Sequence, residues 1–445
     1  FILSNMSLKV EEFIQLSSEN NMELFSEDFA NYLDQQDSLR EYRNKFSFPR
    51  STNGRQCLYF NGNSLGLMPI NARIAVNEQL DKWANRGGNG HFEEPFPWLT
   101  CDEDIVGDMS EIVGANENEV ALLNQLTVNL HLMLVSFYRP TKERFKILCE
   151  HNAFPSDHYA FQSQIEWHGY DPEIGLVTIK PRENESTWLN DDIINFIKTN
   201  GNEIALICLS GVHFLTGQLF NIEEITKVGH EMGCMVGWDL AHTVGNVPLQ
   251  LHLWNVDFAV WCSYKYLNSG PGGLAGIFVH ENNLKKQSIP YFKGWWGHQS
   301  SDRLEMTNEF KPAEGALKYR LSNVSFTSFI LLETSLKIFK EVGMKKLREK
   351  SIKLTGYLEM LLKTKLNAKL FKIITPANEN ERGSQLSILI MGDVERIEKV
   401  IEDNYICCDF RKPSTLRLAP CALYNSFNDV YKVIEAFSSL TTTEE

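Results

Sequence analysis

The alternation of apolar and polar positions divides the chain into three regions. Over residues 145–278, short apolar runs alternate with helical stretches. Segments 146–148, 176–179, 204–209, 235–238 and 258–264 read as strands, with helices at 193–198 and 222–232 between them. That rhythm implies an α/β domain with a mainly parallel sheet. In such sheets ligands collect at the carboxyl ends of the strands. Upstream, 58–60 reads as a short strand followed by the turn NGNSLG at 61–66. A helix then carries Ala72, Val76, Leu80 and Trp83 on one face, and the stretch 124–138 (NQLTVNLHLMLVSFY) is apolar nearly all round, as a buried helix is.

After residue 323 the pattern changes. Amphipathic helices are predicted over 326–339, 344–366 and 394–402, with strands at 386–390 and 415–419. Ser426-Phe427-Asn428-Asp429 has the form of a capping box. The helix it opens would bury Val430, Val433, Ile434, Phe437 and Leu440. The expected division is an N-terminal arm at 1–57, with weak helical patches such as 25–33, a large α/β domain at 58–324, and a small α+β domain at 325–445.

A chain of 445 residues with 43% hydrophobic residues can build two domains and a large core. The formal charge is 43 − 57 = −14. That balance disfavours nucleic acid and anionic membrane as partners, so an anionic ligand must be held by local donors. The nine cysteines are odd in number, include no C-x-x-C and have no Cys/His metal spacing. They fit a reducing compartment and no metal centre. No signal-type stretch is recognised at the start and no run reaches membrane-spanning length, so a cytoplasmic location is expected.

The chemistry gathers around 257–276 (DFAVWCSYKYLNSGPGGLAG). A lysine closing a buried strand, Lys265, is desolvated and nucleophilic, as a Schiff-base lysine must be. A lysine snorkelling to solvent would show the same pattern. Asp239 ends its own predicted strand 26 residues earlier. A carboxylate there can pair with a pyridinium nitrogen and keep that ring an electron sink. A salt bridge or helix cap is the plainer use. With His242 and Gly245 beyond it, and the lysine and glycine loop following, the cofactor reading is preferred. A pyridoxal phosphate site also needs a flat group and phosphate donors. Phe154 can stack on the ring or fill a core. Asp157 and His242 can bond its polar edge. Thr127 at a helix start, Ser210, His242 and Tyr264 can hold phosphate.

Eight segments then carry a specific resemblance: NGNSLGLMP at 61–69, GHF at 90–92, LTVNLHLMLVSFYR at 126–139, FPSDHY at 154–159, DLAHTVGNVP at 239–248, WCSYKYLNSGPGG at 261–273, GWWGH at 294–298 and LRLAP at 416–420. Together they resemble the kynureninase family. The resemblance implies an aspartate-aminotransferase-like (fold type I) architecture that binds pyridoxal phosphate. It also implies hydrolytic Cβ–Cγ cleavage of 3-hydroxykynurenine or kynurenine in tryptophan catabolism. Lys265 would be the Schiff-base lysine, Asp239 the pyridinium partner and Phe154 the stacking ring. Leu126, Thr127, Asp157, Ser210, His242 and Tyr264 would surround the cofactor, with Tyr264 also an acid or proton relay. Trp295 and Asn323 would reach the cofactor of a neighbouring subunit, which implies a homodimer with a shared active site. Arg417 would clamp the substrate α-carboxylate. His91, Ser322 and Asn323, with Ser64 nearby, would set the preference for the 3-hydroxylated substrate. A cysteine desulfurase-like or aminotransferase-like enzyme and a non-catalytic scaffold are the competing readings. The first needs a reactive loop cysteine, which is not evident among the nine.

Overall fold

The computed structural model describes residues 8–440. The first seven residues of the expected N-terminal arm and the last five of the small domain lie outside that range. The chain forms two compact units. One comprises 72–212 and 220–340. The other comprises 8–71, 213–219 and 341–440.

The first unit is built on a seven-stranded sheet. In chain order its strands are β1 (Val120–Leu122), β2 (Lys146–Glu150), β3 (Leu176–Ile179), β4 (Ile204–Ser210), β5 (Met235–Asp239), β6 (Phe258–Trp261) and β7 (Gly276–Val279). Their spatial order is β1-β7-β6-β5-β4-β2-β3. The five strands from β6 to β3 are parallel, and β7 is antiparallel to both β1 and β6. Strands β4 to β7 are almost wholly buried, which is why they read as continuous apolar runs. Helices α1 (Leu126–Phe137), α2 (Pro155–Trp167), α3 (Asn190–Asn200) and α4 (Ile222–Glu231) connect them. Helix α1 buries Leu130, Met133, Leu134 and Phe137, and Phe137 stacks on Phe258 of β6 at 4.9 Å.

One expectation is corrected here, and one is found with a different exposure than its pattern suggests. Strand β6 stops at Trp261, so Lys265 stands in the following turn and not on the strand. The helix with the Ala72 face runs over Ile70–Arg86, but Leu80 and Trp83 are 41% and 58% exposed, and only Ala72 and Gln79 are buried in it. Apolar spacing marks a face that wants covering; it does not say that the same chain covers it.

The second unit holds a four-stranded antiparallel sheet of β8 (Phe371–Ile373), β9 (Leu386–Ile390), β10 (Asp409–Arg411) and β11 (Thr415–Leu418), ordered β8-β9-β11-β10. Helices α5 (Met344–Lys365) and α6 (Phe427–Ser438) pack with it, and the N-terminal helices Leu8–Glu19 and Glu27–Gln36 add Val10, Phe13, Phe29 and Leu33 to the same core. Ser426 makes the reciprocal capping box with Asp429, and Val430, Val433, Ile434 and Phe437 are buried as their spacing demands. Each such side chain contributes roughly 1.5–3 kcal/mol of burial.

Candidate active site

In the first unit, three parallel strands end side by side on polar residues: Glu150 closes β2, Ser210 closes β4 and Asp239 closes β5. Ser210 and Asp239 are register partners. The Ala241 N–H donates to Asp239 Oδ1 at 2.7 Å, which orients that carboxylate. Asp157, from the first turn of α2, is buried beside it. Burial pushes the Asp157 carboxyl well above the ordinary range, and the charges of Asp239 and Glu150 push the same way, while Lys265 pulls it down. Burial likewise lifts Glu150, to about 7, against the stabilising Ser210 hydroxyl.

The turn after β6 carries Lys265. Its carbonyl accepts the Asn268 N–H at 3.1 Å, and the Ser269 N–H returns to the Ser263 carbonyl at 3.2 Å. The glycine loop permits this fold-back. Gly270 and Gly272 have φ of +81° and +69°, and a Cβ on Gly273 would lie 2.0 Å from Ser269 Oγ. The close approach expected of that loop is therefore to its own chain. Lys265 Nζ stands 5.8 Å from the Phe154 ring centroid and 5.9 Å from that of Tyr264. Phe154 is 39% exposed, so it is no core filler. Burial, and then the neighbouring Cys262, push the Tyr264 phenol up.

Thr127 lies in the first turn of α1, but the N-cap is Gln125, so Thr127 does not cap the helix. Its hydroxyl meets that of Ser156 at 2.6 Å, joining the first turns of α1 and α2. Neither helix has a side-chain cap. Leu126 opens α1, and His242 is buried in the turn after β5. The sequence reading did not assign Ser156 or Glu150. Glu150 was visible only as a carboxylate closing an apolar strand, and Ser156 only as a second hydroxyl at a helix start.

The Gly-Trp-Trp-Gly loop sits against the segment bearing Ser322 and Asn323. The Trp296 N–H donates to the Leu321 carbonyl at 3.2 Å. A Cβ on Gly294 would lie 2.3 Å from the Leu321 Cα and carbonyl oxygen. Arg320 and Asp102, both buried, pair at 2.5 Å, and the Trp296 indole N–H donates to the same Asp102 oxygen at 3.1 Å. Trp295, Ser322 and Asn323 are themselves exposed. His91 ends a 3-10 turn, with its ring edge-on to Trp98 at 5.4 Å; Trp98 stacks on Phe326 at 5.4 Å, three residues beyond Asn323.

In the second unit, Arg417 is buried on β11, not a surface strand residue. Asp409 grips it with two bonds, Nη2 to Oδ2 at 2.7 Å and Nε to Oδ1 at 3.0 Å. Arg417 Nη1 donates to the Phe214 carbonyl at 2.6 Å. Burial works to raise Asp409, but Arg417 and Arg411 hold its carboxyl below the ordinary range. Gln385 donates to the same Phe214 carbonyl at 2.9 Å and accepts from Asn63 at 2.7 Å. The turn bearing Ser64 and the strand bearing Arg417 are thus fixed in one network. Gly62 is required there, since a Cβ would meet Cys421 Sγ at 2.2 Å and Tyr424 Oη at 2.3 Å.

The residues of the first unit fit pyridoxal phosphate. They supply a half-exposed ring, an amine above it, a buried carboxylate at a strand end and hydroxyls at helix starts. Asp157 Oδ1 is buried with no hydrogen-bond partner, an acceptor waiting for a donor. Glu119, His252 and His280 also group, with their ligand atoms within 4.8 Å of one another. Glu119 already accepts the Asn116 and Glu281 N–H groups, and the two imidazoles stack at 4° with Nδ1 of His280 accepting the Asn282 N–H.

The family described as kynureninase C-terminal domain matches residues 347–437. The mouse kynureninase is 46% identical over 460 residues, covering 99% of each chain. That of Myxococcus xanthus is 48% identical, covering 92% of this chain and 96% of its own, and the human one is 45% identical, covering 99% of each. Among solved structures, a cysteine desulfurase from Thermococcus onnurineus superposes with a TM-score of 0.71 at 17% identity, covering 86% of this chain and 94% of its own. One from Escherichia coli gives 0.72 at 15%, covering 90% and 98%. The shared fold is the expected one.

Proposed function

Because this chain belongs to the kynureninase family, we propose that the groups at the ends of β2, β4 and β5, with Lys265, form its cofactor site and that Arg417 holds its substrate. The protein is a pyridoxal-phosphate-dependent hydrolase. It cleaves the Cβ–Cγ bond of kynurenine or 3-hydroxykynurenine, releasing an anthranilate and alanine. When bound, the cofactor supplies an aldehyde that takes the substrate amine and a pyridinium ring that draws electrons from Cα.

The chain's own residues do the rest. Asp239 would pair with the cofactor's ring nitrogen and hold its proton. Phe154 flanks the ring. Thr127 and Ser156, beside the uncapped starts of two helices, hold the phosphate with Ser210, His242, Leu126 and Tyr264 around it. Lys265 would hold the cofactor through Nζ, and the same amine would carry the substrate Cα proton. Tyr264, its phenol kept protonated by burial, serves as an acid. Arg417 takes the substrate carboxylate as a planar fork that Asp409 pre-orients. His91, Ser322 and Asn323, with Ser64, favour the 3-hydroxylated substrate.

We further propose that the enzyme is a cytoplasmic homodimer in which Trp295 and Asn323 complete the partner's site. Their exposure supports this, as does that of Leu80 and Trp83, which share one face of the Ile70–Arg86 helix. Among the described residues no helix is long and apolar enough to cross a membrane. The desulfurase reading is disfavoured. All nine cysteines are buried or half-buried, and burial raises the thiols of Cys149, Cys208 and Cys262 near the site.

One observation carries the assignment of the site: the Lys265 amine poised over the Phe154 ring beside three buried carboxyls. Incubation with each substrate, followed by identification of the products, tests the reading. Anthranilate or 3-hydroxyanthranilate with alanine is expected. Transamination with an intact aryl ketone would refute it.

A further inference from the structure

Glu150 lies at the proposed cofactor site but has been given no task of its own there, and the strand ends converge on it. Its carboxylate accepts the Ser210 hydroxyl at 2.5 Å and the Ser210 N–H at 3.3 Å through both oxygens. Ser210 in turn is the register partner of Asp239. Glu150 is 2% exposed. A fully desolvated carboxylate without a cationic partner is costly to keep. A glutamine or an aliphatic residue would close the strand more cheaply if packing were its only task.

We propose that Glu150 is a positioning residue of the cofactor site: it directs the Ser210 hydroxyl and, when ionised, places a second negative charge beside Asp239 that the cationic ring draws out on binding. The inference rests on the cofactor assignment above. The donor pattern explains the first half. An ionised Glu150 accepts the Ser210 O–H, so Ser210 shows only lone pairs to the site; a protonated Glu150 can donate to Ser210 and turn its hydroxyl outward as a donor. The electrostatics explain the second. The groups facing Glu150 are Asp239 on β5, Asp157 on α2, Cys208 on β4 and its own neighbour Cys149. Lys265 is a cation acting on this set, through Asp157. In the cofactor-free protein burial leaves Glu150 titrating at about 7. A pyridinium beside Asp239 stabilises the ionised form, so binding expels the proton.

Calorimetry of pyridoxal phosphate binding to cofactor-free protein, at pH 7 in two buffers of different ionisation heat, counts that proton. Wild type should release more protons than Glu150→Gln, because part of the Glu150 population is protonated beforehand. Between pH 6 and 8 the wild-type Kd should tighten about three- to tenfold relative to that variant. Equal proton counts with parallel pH profiles would overturn the proposal. A purely packing role would change the melting temperature of Glu150→Gln and leave the proton count alone. If Glu150→Gln fails to fold, Ser210→Ala decides. Losing that hydroxyl raises the Glu150 pKa, so more than the wild-type number of protons must leave at pH 7, and an unchanged count overturns the proposal. Wild type that binds no cofactor would overturn the site assignment and this inference together.

Discussion

Removing the Arg417 side chain is the most informative single change outside the cofactor site. The guanidinium is about 1% exposed, and it is held on one edge by Asp409 at 2.7 and 3.0 Å and at Nη1 by the Phe214 carbonyl at 2.6 Å. Two charge-assisted bonds to a substrate carboxylate are worth about 1.5–3 kcal/mol each. Arg417→Ala should therefore lower kcat/KM by roughly 10²–10⁴-fold, at about 1.4 kcal/mol per tenfold. It also leaves the half-buried Asp409 with only Arg411 for charge, which costs at most about 3 kcal/mol of stability. Steady-state kinetics with kynurenine and thermal melting separate the two effects. The double variant Arg417→Ala/Asp409→Ala should recover much of the stability and none of the kcat/KM. Arg417→Lys keeps the charge but loses the fork, and should fall between the two in kcat/KM. Cofactor absorbance should persist throughout, since every proposed cofactor residue lies in the other unit. An Arg417→Ala enzyme within threefold of wild-type kcat/KM would refute the carboxylate role.

Four further outcomes are expected. Lys265→Ala should lose both turnover and the visible absorbance of the attached cofactor; a yellow, active variant would remove the lysine assignment. His91→Ala or Asn323→Ala should narrow the ratio of kcat/KM between 3-hydroxykynurenine and kynurenine, and an unchanged ratio would defeat the specificity reading. Gly294→Ala forces a Cβ into the Leu321 backbone and should lower the melting temperature by several degrees with loss of activity; a silent substitution would contradict the packing. Glu150 has a folded pKa of about 7 against an unfolded value near 4.5, so the folded state binds the extra proton. The stability this gives is complete below pH 4.5 and is lost as pH rises through 7, so the melting temperature of cofactor-free Glu150→Gln should gain on wild type across that window. Parallel melting curves from pH 4.5 to 8 would rule this out.

Five of the seven strands were legible as apolar runs broken by polar punctuation, and the last helix because its capping box and apolar spacing agree; Val120–Leu122 and Gly276–Val279, three and four residues long, were not picked out. The end of β6 was not. Cys262-Ser263-Tyr264 is as apolar as a strand, but the Ser263 hydroxyl bonds to Ser269 and to the Leu274 carbonyl, which draws the chain into a turn. The helix bearing Leu80 and Trp83 was legible from its spacing, but their exposure was not, because periodicity records a need for burial without naming what supplies it. Lys265, Asp239 and Phe154 could be found as residue types in order along the chain. Glu150 and Ser156 could not, because their meaning lies in partners 60 and 29 positions away.

The Phe214 carbonyl that steadies Arg417 comes from 213–219, a seven-residue excursion out of the sheet-bearing unit between Ser210 and the Asp239 strand. Asn63, at the far end of the same relay, comes from the chain's first seventy residues. Excising 347–437 as a stand-alone piece would thus discard two of the three strands of sequence that aim the guanidinium. What a family profile delimits as a module is here an organ whose tendons are anchored elsewhere, and a swap of that segment between relatives should carry 61–64 and 213–219 along with it.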